Sequence, residues 1–156
     1  VLDELEEKLN RHRGNNEKIV FTNGCFDILH IGHIEYLKFS RQQGDVLVIG
    51  LNTDRSVREQ KGDKRPFVSE DERARLISAL EDVSYVVLFD ELTPEDLIRR
   101  IKPDVLIKGE DWKEKGVVGR EFVESYGGKV ILAPFVNNVS TTDIVTRILE
   151  RNSNPR

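Results

Sequence analysis

The apolar positions follow two periods that alternate from one end of the chain to the other. Leu2, Leu5 and Leu9, set among charges in Val1–Arg13, repeat at the spacing of an amphipathic helix, and Gly14-Asn15-Asn16 stops it. Lys18 to Thr22 predicts a buried strand, and Ile34 to Phe39 returns to the helical pattern. Asp45 to Leu51 is almost wholly apolar, as a central strand covered on both faces requires. Asn52-Thr53-Asp54 opens a short helix, and Gln60 to Pro66 is a polar loop. Ser69-Glu70-Asp71-Glu72 has the form of a capping box and starts a helix running to about Leu80. Val83 to Phe89 is a third strand. Thr93-Pro94-Glu95-Asp96 caps another helix, with proline at its first position, which ends before Pro103. Val105–Ile107 and Lys129–Leu132 complete five strands, with a helix from Gly119 to Tyr126 between them. Ser140 to Arg151 is the last helix, and Asn152 to Arg156 is expected to fray. Strands alternating with helices call for a doubly wound α/β fold, a parallel sheet covered on both faces with right-handed crossovers.

At 156 residues the chain makes a single domain, residues 1–156, without repeats or long linkers. The stretch 61–68 is expected to be the mobile one. A charged fraction of 33% beside 38% hydrophobic residues fits a soluble protein. The net charge of −4 leaves no broad basic surface for a nucleic acid. One cysteine rules out an intramolecular disulfide and suits a reducing compartment. No apolar run approaches transmembrane length, and Val1–Glu7 lacks the basic and apolar regions of a signal peptide. A cytoplasmic protein with neither nucleic-acid nor membrane partners is the expectation. The helix at 1–13 packs either on its own domain or on a neighbour.

The first strand runs into Asn23-Gly24-Cys25-Phe26-Asp27-Ile28-Leu29-His30-Ile31-Gly32-His33, which places two of the three histidines at a strand-to-helix turn. Ligands of open α/β sheets bind at the carboxyl ends of strands, and a helix N-terminus there favours anions. Imidazoles beside such a site donate hydrogen bonds to phosphate oxygens as charge builds on them. Neither GxxxxGK[ST] nor a GxGxxG after the first strand is present, which removes the P-loop and the dinucleotide fingerprint. The alternative is a metal centre of Asp27, His30 and His33. Such centres usually take three or more supported ligands, and the remaining histidine, His12, lies on the distant first helix.

Three further segments suit phosphate and nucleotide chemistry, each with a plainer alternative. Lys61, Lys64 and Arg65 form a basic, glycine-containing loop able to fold over phosphates, or a solvated loop. Gly109-Glu110-Asp111-Trp112 follows the fourth strand, where a carboxylate accepts ribose hydroxyls and a tryptophan packs on a sugar or base, or is a surface aromatic. Ser140-Thr141-Thr142 opens the last helix, and the same hydroxyls cap it and bind phosphate. Cys25 lacks a base partner and reads as a small residue packed under the turn.

Gly24-x-Phe26-Asp27-x-x-His30-x-Gly32-His33 resembles the signature of the cytidylyltransferase-like branch of the nucleotidyltransferases. The resemblance runs from about Ile19 to Ile148. Within that branch the chain is most similar to the adenylyltransferase domain of ADP-heptose synthases, through Thr22–His30, Lys61–Pro66, Lys102–Gly109 and Ser140–Ile144. It implies a Rossmann-like nucleotidyltransferase whose HxGH element activates the α-phosphate of a nucleoside triphosphate, with His30, His33 and Lys61 catalytic. It places the nucleotide against Asn23, Gly24, Cys25, Phe26, Gly32, Arg73, Lys108, Gly109, Asp111, Ser140, Thr141 and Thr142. It places the second substrate against Asp27, Lys64, Arg65 and Trp112. Arg73 matches an arginine that relatives keep near the nucleotide; its plainer role is pairing with Glu70 or Asp71. Relatives carry a glycine shortly before the serine of the last helix. Here Val136-Asn137-Asn138-Val139 precedes Ser140, with Asn138 expected to take the left-handed conformation.

The implied reaction is adenylyl transfer from ATP to D-glycero-β-D-manno-heptose 1-phosphate, with Mg²⁺ carried by the triphosphate and no protein metal site. The resemblance also implies a homodimer, as in relatives, and a stand-alone form without their fused sugar-kinase domain. The alternatives are a glycerol-3-phosphate cytidylyltransferase using CTP, which Gly109–Trp112 also resembles, a nucleotide-binding regulatory module without catalysis, and a metal-dependent hydrolase.

Overall fold

The computed structural model describes residues 1–110, 116–134 and 140–153. Five strands form one parallel sheet in the order β3-β2-β1-β4-β5: β1 (Ile19–Gly24), β2 (Val46–Asn52), β3 (Tyr85–Phe89), β4 (Val105–Gly109) and β5 (Lys129–Ala133). The helices are α1 (Leu2–Gly14), α2 (Ile31–Arg41), α3 (Asp54–Lys61), α4 (Glu70–Ser78), α5 (Glu95–Ile101), α6 (Arg120–Ser125) and α7 (Thr141–Ser153). The architecture is the expected Rossmann-like doubly wound sheet.

Successive strand residues point to opposite faces, and the core divides accordingly. Ile19, Phe21, Val46, Val48 and Leu106 join Leu5 and Leu9 of α1 with Ile98 and Ile101 of α5 on one face. Val20, Leu47, Ile49, Leu51 and Ile107 meet Leu37 of α2 and Ile77 of α4 on the other. All seven residues of β2 are buried, so its near-continuous apolar run reflects cover on both sides. The question left open for the first helix is answered by α1, which packs on its own sheet. Leu9 is fully buried, and Arg100 of α5 pairs with Asp3 and Glu6.

Chain direction across the sheet reverses between β1 and β4, so a crevice opens beyond their carboxyl ends. Several boundaries differ from expectation in ways that shape this crevice. Thr53 accepts a hydrogen bond from the Ser56 amide and caps two full turns of α3, which carries Lys61 inside the helix rather than in the loop. Gly62, at φ +96°, ends it in a conformation that other residues rarely adopt. Pro94 occupies the cap position of α5, so Thr93 is not a helix cap. The last helix continues through Ser153, two residues into the tail expected to fray. No helix among the described residues is long and apolar enough to cross a membrane.

Candidate active site

A cavity of about 570 Å³ lies over the carboxyl edge of the sheet, within the range of small-molecule sites. Its centre is the segment between β1 and α2. Phe26 has φ +47°, uncommon for a residue with a side chain, and its ring turns back over Gly24. A Cβ at Gly24 would stand 2.9 Å from that ring, so the glycine makes room for the turn. Local strain of this kind clusters at functional sites.

His30 caps α2, its Nδ1 accepting the Gly32 N–H at 3.1 Å. A neutral His30 therefore carries its proton on Nε2. His33 follows one turn later, and the two rings stack with centroids 3.8 Å apart. Burial pushes the His33 pKa down to about 4, with smaller contributions from His30 and Lys61. Burial also lowers His30, while Asp143 partly opposes it. His33 is thus neutral near pH 7, and its buried Nδ1 has no hydrogen-bond partner. That arrangement has a consequence for stability. Between pH 6.5 and about 4 the unfolded chain binds a proton at residue 33 that the folded chain does not, so stability rises with pH across this window. Lowering the pH from 7 to 4 is expected to destabilise wild type more than His33→Asn, by up to about 3 kcal/mol in urea unfolding. Equal pH slopes for the two proteins would show that the fold does not hold the ring neutral.

Cations flank the histidines. Lys61, at the end of α3, and Arg65 line one side of the cavity. Arg65 stacks on the Phe67 ring at 4.6 Å. On the other side the buried Lys108, at the end of β4, donates to the Asn23 Oδ1, and both line the cavity. Ser140 and Asp143 cap α7 reciprocally, each amide bonded to the other's side chain. Thr141 donates to the Ile28 carbonyl and ties α7 to the central segment. Capping and cavity lining thus coexist at Ser140, Thr141 and Thr142.

Most residues singled out from the sequence converge on this cavity: Asn23, Gly24, Cys25, Phe26, Asp27, His30, Gly32, His33, Lys61, Arg65, Lys108, Gly109 and Ser140–Thr142. Gly32 lines it, but its N–H is committed to His30. Burial raises the Cys25 thiol pKa, with Lys61 and Arg73 opposing, and its Sγ lies 3.8 Å from Asn52 Oδ1. Asp111 and Trp112, like Asn138, lie outside the described residues.

Three of the named residues have surroundings that the sequence did not indicate. Arg73 is fully buried and does not line the cavity. Its guanidinium donates to the carbonyls of Val68, Cys25 and Asn52 and pairs with Asp54 at 2.8 Å, rather than with Glu70 or Asp71. Lys64 is exposed and also stands outside the lining. Asp27 reaches the cavity edge, but its buried carboxylate accepts the backbone N–H groups of Phe67 and Val68 at 2.9 Å. The loop expected to be mobile is therefore anchored beside the histidines. The metal-centre alternative is also weakened, since Asp27 turns to these amides and no metal-binding group of three or more His, Cys, Asp or Glu exists among the described residues. Asp27→Ala is expected to destabilise the protein by about 1–2 kcal/mol by removing the acceptor of two part-buried amides, with Asp27→Asn recovering part through its remaining acceptor oxygen. Urea unfolding checks this, and wild-type stability of the alanine variant would remove the anchor.

Sequence reasoning missed Asn52, Gln60, Leu92, Thr93, Pro94, Ala133 and Pro134 as lining residues. Most follow the carboxyl ends of β2, β3 and β5, so the rule that nominated the histidine segment applies to them as well.

Comparison with known proteins agrees with this geometry. The cytidylyltransferase-like family model matches residues 21–147. The bifunctional protein HldE of Trichlorobacter lovleyi is 52% identical over 147 residues, covering 94% of this chain and 30% of the relative. That of Pelobacter propionicus is 53% identical over 151 residues, covering 97% and 31%. The chain therefore spans about a third of the length of these curated relatives. The crystal structure of a lipopolysaccharide core biosynthesis protein from Thermoplasma volcanium superposes with a TM-score of 0.63 at 30% identity, covering 79% of this chain and 99% of that one.

Proposed function

The chain belongs to the cytidylyltransferase-like family of nucleotidyltransferases, and we propose that it transfers AMP from ATP to D-glycero-β-D-manno-heptose 1-phosphate, releasing pyrophosphate. The observation that carries the reading is the stacked His30–His33 pair at the end of β1, with Lys61 and Arg65 on one side and Lys108 on the other. The similarity to HldE proteins and the resemblance to ADP-heptose synthases favour the adenylyl group and the heptose.

An oxygen of the acceptor phosphate attacks the α-phosphorus in line, its new P–O bond replacing the bond to the β-phosphate, and pyrophosphate leaves. Charge spreads over the non-bridging α-phosphate oxygens as this happens. Because His33 is held neutral, the imidazoles act through oriented N–H dipoles, and the positive charge comes from Lys61 and Arg65. Mg²⁺ enters with the triphosphate as part of the substrate and keeps most of its waters. On this reading the segment after β4, which includes Glu110, faces the ribose, and the start of α7 at Thr141 and Thr142 receives phosphate.

The test is pyrophosphate release with MgATP and heptose 1-phosphate, repeated with CTP and with glycerol 3-phosphate. Release confined to ATP and the heptose is the expected result. Release with CTP and glycerol 3-phosphate would keep the chemistry and replace the substrates. Nucleotide binding without release in any combination would favour a regulatory module.

A further inference from the structure

The cavity has two unlike halves that meet at the histidine pair. The half beside β4 and β5 contains Lys108, Glu110 and the hydroxyl-rich start of α7. The half beside β2 and β3 contains Lys61 and Arg65, backed by Gln60, Leu92 and Thr93. We propose that Gln60, Leu92 and Thr93 form the wall that receives the sugar ring of the acceptor and sets acceptor selectivity, an assignment that rests on the transferase reading above.

Attacking and leaving groups must stand on opposite sides of the α-phosphorus, so nucleotide and acceptor divide the cavity between them. The groups suited to a ribose and to a helix-bound phosphate are on the β4–β5 side, at the topological switch point. Lys61 and Arg65 then stand where the acceptor's phosphate meets the α-phosphate, and the surface behind them is left for the acceptor's sugar.

The composition of that surface fits a polyhydroxylated ring. Leu92 is 59% exposed and supplies an apolar body for C–H faces. The Gln60 amide and the Thr93 hydroxyl, the latter not used as a helix cap, supply hydrogen bonds for hydroxyls. A purine would be better served by an aromatic face. The aromatic lining residues among those described, Phe26 and Tyr36, belong to the central segment and α2 rather than to this wall.

The wall is also held in place. Gln60 Nε2 donates to the Leu92 carbonyl at 3.0 Å, and Ser56 Oγ donates to the Glu91 carbonyl at 3.3 Å. Arg55 pairs with Asp90 at 2.9 Å, and Thr53 donates to the same carboxylate. Helix α3 and the segment after β3 therefore behave as one piece. Selectivity between closely related sugars needs such preorganisation.

Steady-state kinetics of Gln60→Ala and Thr93→Ala test the assignment, with heptose 1-phosphate, mannose 1-phosphate and glycerol 3-phosphate as acceptors. Each variant is expected to raise the KM for the heptose about tenfold, the effect of one lost hydrogen bond, and to narrow its advantage over mannose 1-phosphate. The KM for ATP should stay within about twofold of wild type, since lost acceptor contacts do not touch the nucleotide. A raised KM for ATP with an unchanged acceptor KM would put the nucleotide on this wall and overturn the proposal. Unchanged constants for both substrates would overturn it too, while the transferase reading stood on wild-type turnover. Absence of wild-type turnover with every acceptor and with either ATP or CTP would overturn the transferase reading, and the wall with it.

Discussion

Alanine at His33 is expected to lower the turnover of nucleotidyl transfer by about two to four orders of magnitude in a protein that stays folded. The loss is large because, on the proposed reading, the ring donates to the α-phosphate from a position fixed before the reaction, where dipoles act strongly. The fold survives because His33 contributes little to it. Its Nδ1 is buried without a partner, and burial holds its pKa near 4, so the native state already bears the penalty of a desolvated polar group. Removing that group offsets much of the packing lost against Phe26 and His30. Thermal unfolding should therefore move little while kcat collapses, the usual sign of a residue kept for activity at the expense of stability. His30 makes a useful contrast. Its ring caps α2, so His30→Ala should lose both rate and about 0.5–2 kcal/mol of stability, whereas asparagine should restore the cap without restoring the rate. A folded His33→Ala protein with near-wild-type turnover would end the catalytic assignment.

The sheet was legible because its physics is local. The buried run of β2 and the alternation of strands with capped helices specify a parallel, doubly covered sheet without knowledge of any distant contact. The histidine turn was legible for the same reason, since it follows directly on a strand. Long-range partners were not. Nothing around Asp27 announces that its carboxylate meets amides forty residues later, at Phe67 and Val68. The helical place of Lys61 is not local either, because the strength of the Thr53 cap, and hence the length of α3, depends on geometry rather than composition. The wall after β3 has no such local sign, because Thr93-Pro94-Glu95-Asp96 has the pattern of a helix start and Leu92 belongs to no periodic run. Arg73 left a weak local sign, standing one helical turn before the buried Ile77 and thus on the core face of α4.

Arg73 carries the largest expected effect on stability. Arg73→Ala should destabilise the protein by about 3–5 kcal/mol, the range found when one partner of a buried, hydrogen-bonded charge pair is removed. The variant would strand the carbonyls of Cys25, Asn52 and Val68 together with the Asp54 carboxylate, all satisfied by one guanidinium. Arg73→Lys should recover only part of this, because a single ammonium cannot direct planar donors at three carbonyls from separate segments. Those segments are the turn before His30, the end of β2 and the anchored loop, so Arg73 sets their mutual position while standing outside the cavity. The nucleotide role expected from resemblance and the structural role seen here predict different results. If Arg73 acts through position, folded Arg73→Lys should bind MgATP within a few-fold of wild type, with its deficit in urea unfolding and in kcat. If Arg73 contacted nucleotide, the same variant would keep its stability and lose affinity for MgATP. Urea unfolding and MgATP titration of this one variant decide between the two.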